Sequence, residues 1–384
     1  MLGRNGAKLW DTPLTWYVYG ALEVSWAYSL IHYIRIHILI FEDSMYTTSL
    51  IGVFTCLFMI LGSKMENRQL RIAWDWLGLL VPLILLLKDV SQGGLLISIL
   101  YLLFFSFCLG LGLPSVLSEV MQATNFENRG KVSGLLCVFA FSSVFAFILL
   151  GSLLLVALMK ALALATYLFK VKFEQLVKVD GYFKAGRRVT LSLFLLWLLF
   201  LLIDSIASMN LTVLLNEIDV LILRLFVILI GLPALLVSGF LFDLYGRRLF
   251  ILTAFLLLGV EYALISLEPS FIILYPVLDG VSWGFLTVFF TLVVWSDISP
   301  PEERELYYVL GLSPPFLANA FSELYRVIGP RIEFWQLFPL VSLFLFMAAL
   351  AMFFIPETMP EAVLERKRME RYIKSAKRFK ERRV

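Results

Sequence analysis

Glu23, Asp204, Glu261 and Asp279 are carboxylates set in stretches that are otherwise almost wholly apolar, and Arg224, Glu323 and Arg326 stand in similar surroundings. An ionisable side chain in an apolar setting is costly, so such groups are kept where they bind protons, ions or one another. Glu23, near the inner third of its apolar run, and Asp204, close to the midpoint of its own, are the candidates for taking up and releasing a proton. A plainer reading of Glu23 is a carboxylate hydrogen-bonded to a neighbouring helix near the lipid headgroups. Asp279 stands beside Gly280 and Gly284, whose one-turn spacing suits close helix packing better than ligand contact. Glu323 and Arg326 are three apart and share one helix face, which makes a local ion pair. Arg224 either snorkels toward water or pairs with Asp204. Taken with Glu261 and Asp279, these ions could line a path for a charged solute. His32 and His37 flank Arg35 and are five apart, so they do not share a face as metal ligands four apart would; no metal site is expected. Cys56, Cys108 and Cys137 sit in apolar runs and read as small core residues.

A second constellation lies between two apolar runs, 220–240 and 249–267: Gly239, then Asp243, Gly246, Arg247 and Arg248. Each run matches the ~20 apolar residues that cross a hydrocarbon layer about 30 Å thick. The chain must reverse between them within a few residues, and Gly246 allows the tight turn.

This ten-residue spacing resembles the cytoplasmic loop signature of the major facilitator superfamily: glycine, aspartate at the fifth position, glycine at the eighth, basic residues at the ninth and tenth. A degenerate copy follows the second apolar run, from Gly62 through Glu66 to Arg68, with Gln69 and Leu70 where glycine and arginine would stand. Glu119 with Arg129 and Gly130 is echoed by Asp297 with Glu303 and Arg304. Pro356-Glu357-Thr358 resembles the ending of the last span in sugar-porter-like members. The resemblance covers essentially the whole chain. It implies a gate in which Asp243 lies beside the start of the fifth span, near 130–134, and Glu66 beside the start of the eleventh, around 307–311. It also implies that Arg247 and Arg248 meet Asp297 and Glu357. In the usual pattern the first half keeps the better copy of the loop; here the second half does.

The elements that must hold these residues are membrane helices. Sixty per cent hydrophobic residues, 16% charged and a mean hydropathy of +0.89 leave too few polar side chains to coat a soluble globule. Twelve spans are expected, at 16–41, 46–62, 72–87, 95–119, 132–157, 161–177, 189–214, 220–240, 249–267, 271–295, 307–328 and 334–355. No polar loop separates the fifth from the sixth, and the turn is expected near 157–160, with Lys160 at the interface. Residues 1–11 are polar and the first apolar run is too long for a signal peptide, so no cleaved leader is expected. Placing the N-terminus in the cytoplasm puts all but six of the 32 lysines and arginines on the inner side. The exceptions are Lys88, Lys160 and Arg331 in outer turns, and Arg35, Arg224 and Arg326 within spans. Prolines at 114, 233, 314 and 315 weaken the helical ladders they sit in.

The expected fold is therefore all-α and integral to the membrane: twelve transmembrane helices in two pseudo-symmetric six-helix bundles. Residues 1–178 form the N-terminal bundle, 179–188 a cytoplasmic linker, 189–355 the C-terminal bundle and 356–384 a basic cytoplasmic tail. The tail suits a helix on the anionic inner leaflet better than a nucleic-acid arm. No phosphate-binding loop or catalytic triad spacing occurs, so neither an enzyme nor a cofactor is expected. The resemblance implies a monomeric secondary transporter of the cell membrane, with both termini cytoplasmic. It would move a small-molecule substrate through the lipid bilayer by alternating access, with proton coupling as the energy source. Facilitated diffusion, and a transporter-like receptor or scaffold that does not transport, stay open.

Overall fold

The computed structural model describes residues 14–37, 44–65, 76–87, 94–173, 183–214, 217–329 and 332–381. Backbone groups in hydrocarbon must be satisfied within their own segment, and the continuous Leu-, Phe- and Val-rich runs do so as helices. In the first half α1 (Leu14–His37) and α2 (Ser44–Ser63) precede the short α3 (Leu80–Leu87), then α4 (Leu95–Gln122), α5 (Arg129–Leu150) and α6 (Leu153–Phe173). The second half holds α7 (Arg187–Leu214), α8 (Glu217–Tyr245), α9 (Arg248–Leu267) and α10 (Tyr275–Val288). A π-helical turn, Phe289–Val293, carries α10 into α11 (Val294–Ile298), and α12 (Arg304–Ile328) and α13 (Phe334–Phe354) follow. The basic tail forms α14 (Glu361–Glu381).

Eight helical stretches among the described residues are long and apolar enough to cross a membrane, and Leu153–Leu168 is a shorter apolar one. Their outer faces are bare hydrocarbon: Leu96, Leu150, Leu229, Leu267 and Phe354 are each more than half exposed. Water does not tolerate apolar surface on that scale, and lipid does. The chain is a multi-pass membrane protein. Of the expected third span, 72–87, the first residues lie outside the described ones.

The turn between the fifth and sixth spans is a correction. The chain reverses at Gly151, not near 157–160. Gly151 takes φ of 61° and its N–H donates to Phe147 O at 2.8 Å, ending α5 in a left-handed cap. Glycine enters that region without a Cβ penalty, so a turn needs no polar residues there. The sixth span accordingly begins at Leu153, and Lys160 falls inside it.

Within the first half α1 packs on α4, α5 and α6, and α2 on α4; within the second, α8 packs on α10, α9 on α10 and α13, and α7 on α12 and α13. The two halves meet chiefly through α5 on α8 and α2 on α12. Small residues allow those close approaches. A Cβ at Gly134 would stand 2.7 Å from Leu235 O, and one at Gly52 would stand 2.7 Å from Phe316 O.

Candidate functional site

One end of the molecule is closed by charge, and the closure is built on helix termini. The first N–H groups of α5 have no partner within their own helix. Asp243, near the end of α8, supplies one: its Oδ1 accepts from Gly130 N at 2.8 Å and its Oδ2 from Lys131 N at 2.9 Å. Gly130 lets the carboxylate in, since a Cβ there would lie 2.6 Å from Asp243 Oδ1. Asp243 is fully buried. The counterpart of this contact around Glu66 lies outside the described residues.

Beside it, Asp297 gathers groups from both halves. Arg129 Nη1 of α5 reaches Asp297 Oδ1 at 2.5 Å, and Thr358 Oγ1 donates to Oδ2 at 2.8 Å. Arg247 Nη1 lies 2.7 Å from Oδ2, an ion-pair distance without the alignment of a hydrogen bond. Both arginines and the aspartate are fully buried. Arg304 Nε donates to Ser299 Oγ at 3.2 Å at the same end. Arg247 thus meets Asp297 through its side chain, while Glu357 meets both arginines through the main chain. Glu357 takes the main-chain N–H groups of Arg247 and Arg248, each near 3.0 Å, and so caps α9, while the Arg248 guanidinium stacks on Phe353 instead. Gly246, at φ of 94°, brings the chain round; a Cβ there would meet Glu357 Oε2 at 2.8 Å.

The tail closes over this end. Lys367 Nζ donates to Glu127 O at 3.2 Å, in the turn before α5, and to Asp243 O at 2.5 Å, in α8. Arg366 pairs with the Glu127 carboxylate, and Arg371 stacks on Tyr245 at 4.3 Å. Burial pulls the Lys367 amine down to about 8, only partly opposed by the nearby Asp243 carboxylate, and Lys131, Arg247 and Arg366 push the same way as burial. Nothing in the sequence signalled this contact, because the tail read as a helix on the anionic inner leaflet.

Away from that end, a cavity of about 350 Å³ opens between the halves. That is within the usual range for a small-molecule site. Tyr28 of α1 and Phe141 of α5 line it from one side; Trp197 and Asp204 of α7, Trp283 of α10 and Asn319 of α12 line it from the other. Trp197 is fixed by its Nε1 donating to Gly311 O at 3.1 Å and by stacking on Phe290 at 4.8 Å, inside the π-helical turn. Such turns shift the helix register locally and recur at functional sites. Gly280 and Gly284 line the cavity and also press on α8, where Cβ atoms would meet Val227 O at 2.9 Å and Ala234 at 2.6 Å. A neighbouring space of about 200 Å³ is lined by His32, Thr48 and Asn319.

The in-span acids divide into two kinds. Glu23 is 3% exposed and its Oε2 lies 2.6 Å from Lys160 Nζ, which also sits 4.4 Å over the Trp26 ring. The interfacial lysine expected from the sequence is thus a buried one, and Glu23 is already neutralised by it. Glu323 pairs with Arg326 at 3.1 Å along one face of α12. Asp204, Glu261 and Asp279 are different. Asp204 accepts a hydrogen bond from Tyr262 OH at 3.3 Å. Glu261 of α9 is 1% exposed and neither carboxylate oxygen has a hydrogen-bonding partner among the described residues; Asp279 of α10 is 4% exposed and its Oδ1 has none. Tyr275 and Trp283 reach Asp279, and the three carboxylates lie within electrostatic range of one another. Arg224 is exposed. No group of three or more His, Cys, Asp or Glu side chains at metal-binding spacing occurs among the described residues.

The sequence matches no protein-family model and no curated protein. Solved structures do resemble the fold. A bacterial homologue of the iron transporter ferroportin, in an outward-facing state, aligns at a TM-score of 0.68 and 16% identity, over 88% of this chain and 98% of that one. The proton:xylose symporter XylE bound to 6-bromo-6-deoxy-D-glucose aligns at 0.62 and 12% identity, over 91% and 96%. The human organic anion transporter MFSD10 aligns at 0.61 and 13% identity, over 88% and 98%. At these identities the likeness is one of fold, and it runs nearly the whole length of each chain.

Proposed function

We propose that this chain, whose fold is that of the major facilitator transporters, is a secondary transporter that carries a small solute across the cell membrane by alternating access. Twelve spans form two six-helix bundles, 1–178 and 189–355, that rock about the cavity between them. The tail and both termini lie in the cytoplasm, on the side of the Gly239 to Arg248 loop. The observation that carries this reading is the cavity of about 350 Å³, lined from both halves, with the Asp243 and Asp297 contacts joining those halves at one end of it. A central site closed on one side is what alternating access requires of each of its end states.

Proton coupling runs through Asp204, backed by Glu261 and Asp279. Glu23 shares its charge with Lys160 and is assigned a structural role. A buried carboxylate without a fixed cation is the group that gains by taking a proton. A proton symporter stands among the proteins of similar fold, which supports the coupling.

Proteoliposomes with an imposed pH gradient, offered labelled sugars, organic acids, organic cations and peptides, test the reading. Gradient-driven accumulation of one solute, lost in Asp204→Asn while exchange persists, is the expected result. Downhill flux without accumulation would mean a uniporter. No flux, with a Ser205→Cys cavity probe never labelled from the loop side, would mean a receptor or scaffold.

A further inference from the structure

We infer that the cavity takes an organic cation with an apolar, aromatic-compatible body; this rests on the transport reading above and names the substrate class. Asp204 is the one charged side chain among the described residues that line the cavity. The rest of the lining is mainly hydrocarbon and ring: Tyr28, Phe141, Trp197 and Trp283 supply four aromatic groups, with Ser205, Thr287, Thr291 and Asn319 as neutral polar side chains. An anion would meet a carboxylate there and no lysine or arginine. A polar neutral solute such as a sugar would find Ser205, Thr287, Thr291 and Asn319 but would leave the Asp204 charge uncompensated. A cation with a greasy body finds both a counter-charge and aromatic surfaces.

The charge balance of the fold points the same way. Three other acids bring their own cation: Glu23 has Lys160, Asp297 has Arg129 and Arg247, Glu323 has Arg326. Asp204 has a hydroxyl donor at 3.3 Å and, among the described residues, no cation within ion-pair distance. Behind it Glu261 is buried with both oxygens unpartnered, and Asp279 with one. The nearest cation felt there, Arg224, acts on Tyr275 beside Asp279, and three acids against that one exposed arginine leave a net negative potential focused by apolar walls. The compensating charge comes from outside the fold, as protons in the empty state and as the ligand in the loaded one. A metal ion does not fit the same place. Hard cations take six or more oxygens at short range, and the described carboxylates do not converge at metal-binding spacing.

The full chain in lipid nanodiscs is titrated with phenyltrimethylammonium and tetraphenylphosphonium, with tert-butylbenzene, a neutral isostere of the first, and with benzenesulfonate. Saturable binding of at least one cation is expected, with tert-butylbenzene weaker by about ten-fold or more and benzenesulfonate weaker still. Asp204→Asn should weaken cation binding by about ten-fold or more and leave the tert-butylbenzene affinity in place, which reports an intact cavity. Asp204→Glu, which keeps the charge, should keep cation preference. Equal or tighter binding of the neutral or anionic probe, no saturable cation binding, or a cation affinity in Asp204→Asn within about two-fold of the parent overturns the assignment. Labelling of Ser205→Cys from each side of the membrane is measured on the same protein in sealed proteoliposomes. A cavity that alternates but prefers the neutral probe removes the ligand class and leaves transport. A cavity that prefers cations and never alternates does the reverse.

Discussion

Lys160 Nζ lies 2.6 Å from Glu23 Oε2, deep between α6 and α1, with both side chains almost fully buried. Two charges removed from water stabilise little as a pair, but either one left alone is expensive. Lys160→Met is therefore expected to destabilise the protein by about 3–5 kcal/mol. The Glu23→Gln, Lys160→Met double variant should recover most of that loss. Unfolding in detergent, followed by intrinsic fluorescence, measures both. A double variant no better than the single would break the pairing argument.

Asp243→Asn should open the closed end. The carboxylate accepts two main-chain N–H groups of α5, one on each oxygen. Asparagine keeps one acceptor and turns an amide donor toward the other N–H, at a cost of about 1–3 kcal/mol for the group left unsatisfied. The expected outcome is faster labelling of a Ser205→Cys probe from the loop side, in a background lacking Cys56, Cys108 and Cys137. Unchanged labelling would count against the gate.

Arg129 and Arg247 share the two oxygens of Asp297 but come from different halves. Arg129→Ala should increase loop-side labelling of the same probe, because it cuts a contact between halves. Arg247→Ala should also increase it, since the Arg247 guanidinium donates to Phe126 O at 3.4 Å and lies over the Phe126 ring, both in the first half. Neighbours on one carboxylate are coupled, and the double variant should depart from additivity by about 0.5–3 kcal/mol. Additive effects would mean that the shared carboxylate does not act as one unit.

Docking of the tail should tighten as pH rises. The Lys367 amine is held near 8 when docked, below its ordinary 10.5, chiefly by burial. Between those values the undocked tail binds more protons than the docked one, so raising the pH favours docking. Below about pH 8 the full cost of burying the charge is present. Protection of α14 from proteolysis should therefore increase from pH 7.5 toward pH 10, about the ordinary range of a lysine. Lys367→Met should remove that dependence. A protection profile that falls with pH would reverse the sign and reject the docking contact.

Cysteines at Ser375 and Glu268 should react from opposite sides of the membrane. Ser375 is exposed in α14, and Glu268 is exposed between α9 and the turn before α10. The basis is the crowding of lysine and arginine into alternate connections, which marks the cytoplasmic side. Reaction of both from one side with an impermeant thiol reagent would overturn the assigned topology.

Much of the architecture was legible in the amino-acid sequence, because entry into a membrane is decided segment by segment. A run of ~20 apolar residues becomes a spanning helix whatever it packs against. For the same reason the ten-residue pattern from Gly239 to Arg248 marked the turn between α8 and α9, and Asp243 could be expected beside the start of α5. What the sequence left open depends on how helices lie against one another. Lys160 was displaced from the interface to the interior by a turn at Gly151, which carries no polar flag beyond the glycine itself. Its partner Glu23 is 137 residues away, and Asp297 is 168 residues from Arg129. Contacts at that separation leave no trace in local periodicity. The cavity is likewise a product of packing: α1, α5, α7, α8, α10 and α12 each contribute only part of its lining. Asp204, Glu261 and Asp279 read as three separate in-span acids along the chain, and only the packing of α7, α9 and α10 makes them one cluster.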